Sequence, residues 1–330
     1  MVSLIGRSIL LGQVLLGILV TGGLISGYGL APLAALAWGL LVAVGLHALI
    51  VVVEFLLAGY ASSETPLPDQ LGLMGWAQCV GGEIAASLMT FSIRQPFFGA
   101  TALASAFDQS PKTPIVFIHG FFCNRAIWRP AATWLASVGH PIHSVNLEPV
   151  YGSIDEYPAL IDRAVKDLQS RCGYRPVALV CHSMGGLAAR AYLRDFGNSA
   201  IARVITLGTP HQGTFLANFS HAGNSKQMRL QSPWRDALAS SEADAIKLSS
   251  EPNNRQQDSS PDTPPTGVQG QSLFTVVFSH HDNIVAPQSI QTFDGAKVIS
   301  TAGKGHVRLA VDPEIWQIIA DELELAAISE

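Results

Sequence analysis

Hydrophobic positions change their spacing twice along this chain. From Ser8 to Leu30 and from Leu33 to Ala58 they are almost continuous, interrupted only by the short, charge-free stretch GYGLAP. Each run reaches the roughly 20 apolar residues that cross a bilayer core. Inside hydrocarbon a backbone satisfies its own polar groups only as a helix. Residues 1–60 are therefore expected to form a transmembrane helical hairpin, with Gly12, Gly17, Gly22 and Gly23 letting the helices approach closely. From 61 to 112 the pattern lapses. SSETPLPD is a turn-rich break, MGWAQCVGGEIAASLMTF suits a surface helix, and RQPFFG with SAFDQSPKTP suits the membrane interface. This connector carries no chemical motif and reads as linker and packing surface.

From 113 onward, short β-branched runs alternate with amphipathic stretches. Strands are expected at Ile115–His119, Ile142–Leu147, PVALV, RVITL, LFTVVF and AKVIS. Helices are expected at Trp128–Val138, Tyr157–Arg171, Gly185–Phe196 and Pro313–Ile328, where apolar residues recur at helical spacing. Such alternation implies an α/β fold, a mostly parallel sheet flanked by helices. In open sheets of this kind, sites form at the carboxyl ends of the strands. A long insertion, 214–271, interrupts the 113–330 domain. Its first part suggests short lid helices or a passive insertion, and SSEPNNRQQDSSPDTPPTGVQGQ has the composition of disorder.

Composition sharpens the membrane reading. Apolar residues make up 48% of the 330 and charged residues only 14%, and between Val2 and Leu57 the charged side chains are Arg7 and Glu54 alone. A signal peptide is the competing reading, with ALA at Ala35–Ala37 as a cleavage-like site, but the first apolar run is too long for an h-region and a second follows at once. Arg7 favours an N-in start. Two crossings then return the chain to the cytoplasm, giving an inner-membrane protein with a cytoplasmic α/β domain. Glu54 and His47 read either as functional intramembrane groups or as an interfacial acid and a histidine facing the partner helix. The net charge of -5 gives no reason to expect nucleic-acid binding. Cys79, Cys123, Cys172 and Cys181 lack metal-ligand spacing and read as reduced thiols.

The candidate chemistry sits at predicted strand ends. Ser183 stands between VALVC and a glycine-rich helix start, where a tight strand-to-helix turn projects a hydroxyl beside the helix N-terminus. The plainer alternative is a helix-capping serine. Cys181 occupies the place of the first glycine in a G-x-S-x-G elbow; on the strand, it is expected to be a small buried hydrophobe rather than a rival nucleophile. His306, in a glycine-rich loop, can reach back as a base, and Asp282, directly after LFTVVF, can orient it. Asp294, Asp258 and Asp262 are rival acids, in a turn and in the insertion. His280 and His281 are rival bases that suit loop packing better. The backbone N–H groups of Phe121 and Met184 are the expected oxyanion donors. His119 and His211 read as loop-fixing residues.

PIVFIHGFFCNRAIW, VALVCHSMGGLAARAYL, VITLGTPHQGT, FSHHDNIVAPQS and GKGHVRL occur in one order. As a set they resemble bacterial lipases and esterases of the α/β-hydrolase fold, over roughly Pro114 to Ile319. The elbow is most similar to that of small lipases reading A-H-S-M-G. The resemblance implies Ser183 as nucleophile, His306 as base, Asp282 as its partner, and no metal or organic cofactor. The expected function is a membrane-anchored serine hydrolase cleaving carboxylic, lipid esters. An acyltransferase or thioesterase with the same triad, and a membrane scaffold without turnover, stay open as alternatives.

Overall fold

The structure, a computed structural model, describes residues 1–103, 109–250 and 272–328. Six strands form one parallel sheet: β1 (Ile115–Ile118), β2 (Ile142–Val145), β3 (Val177–His182), β4 (Ile201–Leu207), β5 (Phe274–Ser279) and β6 (Lys297–Thr301), in the order β2-β1-β3-β4-β5-β6. Alternation along the central strands divides the core in two. Val116, Ile118, Leu179 and Cys181 face one side, under α6 (Pro158–Arg171) and α7 (Met184–Phe196). Ile115, Phe117, Ala178 and Val180 face the other, under α5 (Arg129–Ser137) and α11 (Pro313–Ile328), where Phe117 stacks on Trp128 at 4.7 Å. A sheet buried on both faces explains why its strands read as continuous apolar runs rather than alternating ones. The expected strands and helices of this domain all form, with ends shifted by at most two residues.

Ahead of the sheet lie two long antiparallel helices, α1 (Val2–Tyr28) and α2 (Pro32–Tyr60). Both are long and apolar enough to cross a membrane, and side chains such as Leu19, Leu33 and Leu40 point outward with no protein cover. Their contact is narrower than the glycine pattern suggested. Gly17 meets Gly39, whereas Gly12, Gly22 and Gly23 have no neighbour within 4 Å of a built Cβ. The Thr21 hydroxyl closes this crossing by donating to the Gly17 carbonyl at 2.8 Å and to the Ala35 carbonyl at 3.3 Å.

The start of α1 meets the connector, and the end of α2 meets the α/β domain. Ser3 Oγ donates to the Gln95 carbonyl and Arg7 Nε to the Pro96 carbonyl, each at 2.8 Å. At the other end, Asn283 Nδ2 donates to Glu54 Oε2 at 2.8 Å. Glu54 is thus neither a lipid-facing acid nor paired within the hairpin. His47 also departs from expectation, since its Nε2 lies 2.8 Å from Ser87 Oγ of α3 (Leu73–Leu88) rather than against α1. Helix α3 is more than packing surface: Cys79, Glu83 and Ser87 are buried along one stripe. It runs through a π turn, Met89–Arg94, into the short α4 (Gln95–Phe98).

The insertion begins with a 3-10 turn, Phe215–Phe219, then α8 (Gly223–Gln227) and α9 (Pro233–Ser250). The tract expected to be disordered falls on residues 251–271, outside those described, as do Asp258 and Asp262. A Cβ on Gly39 would overlap the Gly17 carbonyl and the Thr21 hydroxyl, so Gly39→Leu is expected to destabilise the detergent-solubilised protein by about 1–3 kcal/mol. Gly22→Leu, which meets nothing, is the control. Equal melting temperatures for the two variants would show that the Gly17–Gly39 crossing does not hold the helices together.

Candidate active site

Strand β3 ends at His182, and α7 begins at Met184, so one residue makes the whole turn between them. That residue, Ser183, adopts φ 56° and ψ −129°, a left-handed conformation that costs on the order of 1–3 kcal/mol in a non-glycine residue. Several contacts hold it there. The Ser183 amide donates to the Leu207 carbonyl at 2.8 Å, and its carbonyl accepts from Thr209 Oγ1 at 2.8 Å. Neighbouring chain passes so close that side chains are excluded. A Cβ on Gly185 would lie 2.6 Å from the Ile118 carbonyl oxygen, and one on Gly120 would lie 2.7 Å from Ser183 Cβ. Gly186 is similarly pressed against Thr209. Cys181, two residues before the serine, is fully buried among Ile118, Leu179 and Leu187. Burial pushes its thiol pKa up, so it stays protonated and packs as a small hydrophobe.

Two loops at the same sheet edge carry the partners. The loop after β5 brings Asp282, and the loop after β6 brings His306. His306 Nδ1 lies 2.9 Å from Asp282 Oδ2 and 3.1 Å from Oδ1. Asp282 is itself fixed, since its Oδ1 accepts from the amides of Ile284 and Val285 at 2.8 and 2.9 Å. With Nδ1 facing a carboxylate, the tautomer with Nδ1 protonated is favoured, which leaves Nε2 free to accept a proton. Burial alone would depress the His306 pKa. The charge and hydrogen bond of Asp282, assisted by the Glu83 carboxylate, outweigh it and hold the pKa above the ordinary histidine value. Ser183 and His306 line one cavity of about 340 Å³, within the range of small-molecule sites, about 300–1,000 Å³. Phe91, Phe121, Phe122, Leu216, Met228 and Val285 give it mostly apolar walls.

The loop after β1 forms another side of this cavity. Phe121 lines it directly, and Phe122 is held at φ 54°. His119 fixes the loop: its Nδ1 lies 2.9 Å from the Gly120 carbonyl, and its Nε2 accepts from the Leu147 amide at 2.9 Å. Burial lowers the His119 pKa to about 4, so the ring stays neutral in this bridging role. Among the described residues, the Phe121 and Met184 amides have no backbone acceptor. The rival groups lie elsewhere. Asp294 is exposed, His280 Nε2 sits 3.5 Å from Asp69, and His281 accepts from the Gly303 amide and meets the Trp76 ring edge-on. The His211 ring is buried against Thr206 Oγ1.

Two residues absent from the sequence-based candidates complete the surroundings. Glu83 of α3 is buried, and its two oxygens accept from the amides of Val307, at 2.7 Å, and Arg308, at 3.0 Å. Burial raises the Glu83 pKa to about 7 despite those hydrogen bonds. A Cβ on Gly305 would come within 2.5 Å of the Glu83 carboxyl, so GKG is the spacing that lets the acid reach the loop. Asn283 uses both ends of its amide. Its Oδ1 accepts from the His306 amide at 2.8 Å, while its Nδ2 donates to Glu54 of α2. The stripe Cys79, Glu83, Ser87 at i, i+4, i+8 was the available signal, since a polar group repeating on one face of an apolar helix implies a partner.

Residues 115–314 match the profile of the Alpha/beta hydrolase family. The chain is similar to a triacylglycerol lipase of Burkholderia plantarii, 27% identical over 156 residues, covering 44% of this chain and 41% of that lipase. A triacylglycerol lipase of Pseudarthrobacter phenanthrenivorans is 30% identical over 116 residues, 32% of this chain and 35% of that protein. The chain thus spans about two fifths or less of the length of these curated relatives. A lipase of Bacillus licheniformis, in its mature form, superposes with a TM-score of 0.50 at 17% identity, covering 65% of this chain and 94% of that one, a likeness of fold.

Glu83→Ala would leave the Val307 and Arg308 amides without their acceptors, at a cost of about 1–3 kcal/mol for each amide left unsatisfied. A clear fall in the denaturation midpoint is expected. A shift near zero would mean that water or another group replaces the carboxylate.

Proposed function

We propose that this chain, which belongs to the alpha/beta hydrolase family, is a membrane-anchored serine hydrolase of the lipase and esterase type that cleaves carboxylic esters of lipids. One observation carries the reading: Ser183, in its strained turn, lines the same cavity as His306, whose Nδ1 is held by Asp282. In this reading the Ser183 oxygen attacks the ester carbonyl carbon, and its proton passes to His306 Nε2. Asp282 stabilises the imidazolium so formed. The Phe121 and Met184 amides donate to the oxyanion, where preorganised dipoles act with little reorganisation. The carbon–oxygen bond to the alcohol then breaks, and His306 returns the proton to the departing alkoxide. A water molecule repeats the sequence on the acyl-enzyme, giving up a proton to His306 and releasing the carboxylic acid and a free Ser183.

The apolar cavity walls support a hydrophobic acyl group. The membrane reading is supported by α1 and α2, whose outward faces are apolar. Their far turn, between Tyr28 and Pro32, lies at the opposite end from the contacts that Ser3 and Arg7 make with the connector and Glu54 makes with the α/β domain. A hairpin of that shape places both of its ends on one side of a bilayer. Exposed Phe97 and Phe98, with Arg7 over one ring and Arg129 over the other, supply aromatic and basic groups suited to the membrane interface. The organisation that follows is a hairpin over 1–60, an interfacial connector over 61–112 and a hydrolase domain over 113–330 facing the cytoplasm.

A fluorophosphonate probe tests the nucleophile: wild type is expected to label and Ser183→Ala to remain unlabelled, with turnover of p-nitrophenyl esters reduced by about 10⁴-fold or more. Equal labelling of both proteins would sink the assignment. Added alcohol that diverts most of the acyl group into a new ester would favour an acyltransferase instead. A reporter active only outside the cytoplasm, fused after Glu330, is expected to stay silent.

The pH dependence follows from the sign of the His306 shift. Attack needs neutral His306, and its pKa lies above the usual 6.5, so kcat/KM is expected to fall as pH drops through a value above 6.5. Glu83→Gln removes one of the charges that raise it and is expected to move this acid limb to lower pH. An unmoved limb would separate Glu83 from the titration.

A further inference from the structure

We propose that the hairpin itself builds the acyl-chain site, in a second cavity between α1, α2 and the π turn that takes the hydrocarbon chain of a bilayer lipid ester. The inference deepens the serine-hydrolase reading and rests on it. This cavity has a volume of about 210 Å³, and Glu54, Ser87, Phe91 and Phe122 line both it and the Ser183 cavity. Those four side chains are therefore a shared partition. Their polar members already have partners: Glu54 accepts from Asn283, and Ser87 pairs with His47, which itself lines the second cavity. What they leave for a substrate is largely methylene and aromatic surface.

Beyond the partition the walls combine apolar positions of the two long helices, such as Leu10, Ile50 and Val51, with the polar Gln13, His47 and Gln95. Leu10 lies about 12 Å along α1, and Val51 about 13 Å back from the end of α2, at the helical rise of 1.5 Å per residue. Counted from the Gly17–Gly39 contact at the same rise, Val51 sits about 7 Å farther from the crossing than Leu10. Near these positions Leu11 and Leu49 are exposed on the outer faces of the same helices. A chain leaving the bilayer sideways thus meets mostly apolar surface on its way to the serine. Each methylene buried there leaves one apolar surrounding for another, so transfer from lipid to site is close to neutral. The polar lining at Thr214, Ser220 and Ser225 belongs to the first cavity only. That end suits the alcohol or head group, and the hairpin end the acyl chain.

A p-nitrophenyl alkylphosphonate with a diazirine at the tip of its long, phosphorus-bound alkyl chain tests this directly. Ser183 Oγ forms the bond to phosphorus, p-nitrophenolate leaves, and the serine proton passes through His306 to solvent. After irradiation of the full-length protein in liposomes, cross-links are expected within residues 6–13 and 47–54. Cross-links confined to 215–228 would overturn the inference while leaving the serine-hydrolase reading intact. Failure of Ser183 to form the adduct at all would take both down.

A second measurement guards against local misfolding. Leu10→Trp and Val51→Trp, which fill the cavity, are expected to lower kcat/KM for a hexadecanoyl ester relative to a butanoyl ester by at least about tenfold. Leu19→Trp, on the outer face, should leave that ratio unchanged. An unchanged ratio in filled variants that still take up fluorophosphonate would overturn the proposal. Should those variants fail to label, the cross-linking pattern of wild type decides.

Discussion

The turn at Ser183 compresses strand, helix and two flanking loops into a space where backbone lies against backbone. A residue with φ 56° is stable only where its surroundings over-determine it. Here a carbonyl on β4 binds its amide, a threonine hydroxyl binds its carbonyl, and glycines at 120, 185 and 186 remove every side chain that would force it open. The same crowding positions the rest of the site. Because β1 and β4 pass within contact of the turn, the loops that follow them form its walls. Because β5 and β6 extend the sheet in register, their loops arrive one after the other beside it with Asp282 and His306.

The sheet and the order of its chemical groups were legible because they depend on short-range pattern. Strand runs, helix periodicity and small residues around Ser183 are all local properties, and a parallel sheet delivers consecutive strand ends to one edge. Cys181 could be read correctly for the same reason: its place on a doubly buried strand decides its environment. What could not be read were the pairings between distant segments. Glu83 binds amides more than two hundred positions away, and Glu54 reaches Asn283 over a comparable separation. Nothing local marks either acid as a partner of the histidine loop.

Glycine in the hairpin illustrates the opposite error. Four glycines on α1 suggested a broad small-residue seam, yet Gly17 alone of the four meets α2, through Gly39. A seam needs its small residues on one helical face, and Gly12, Gly22 and Gly23 turn away from that face. The histidine at 47 was likewise assigned to the nearer helix, whereas the third helix claimed it through Ser87. Apolar runs report that a helix is surrounded by hydrocarbon or protein without reporting which.

Asn283 ties the His306 amide to a carboxylate on α2, and Asn124 bonds Gln95 and Ser3 in much the same manner on the other side of the cavity. Both asparagines come later in the chain than the helices they bind. The long helices and α3 precede them in the chain, and the loops that surround the serine pack against that surface. The strand delivering His306 comes close to last. In chain order the wall comes first, Ser183 next and His306 last.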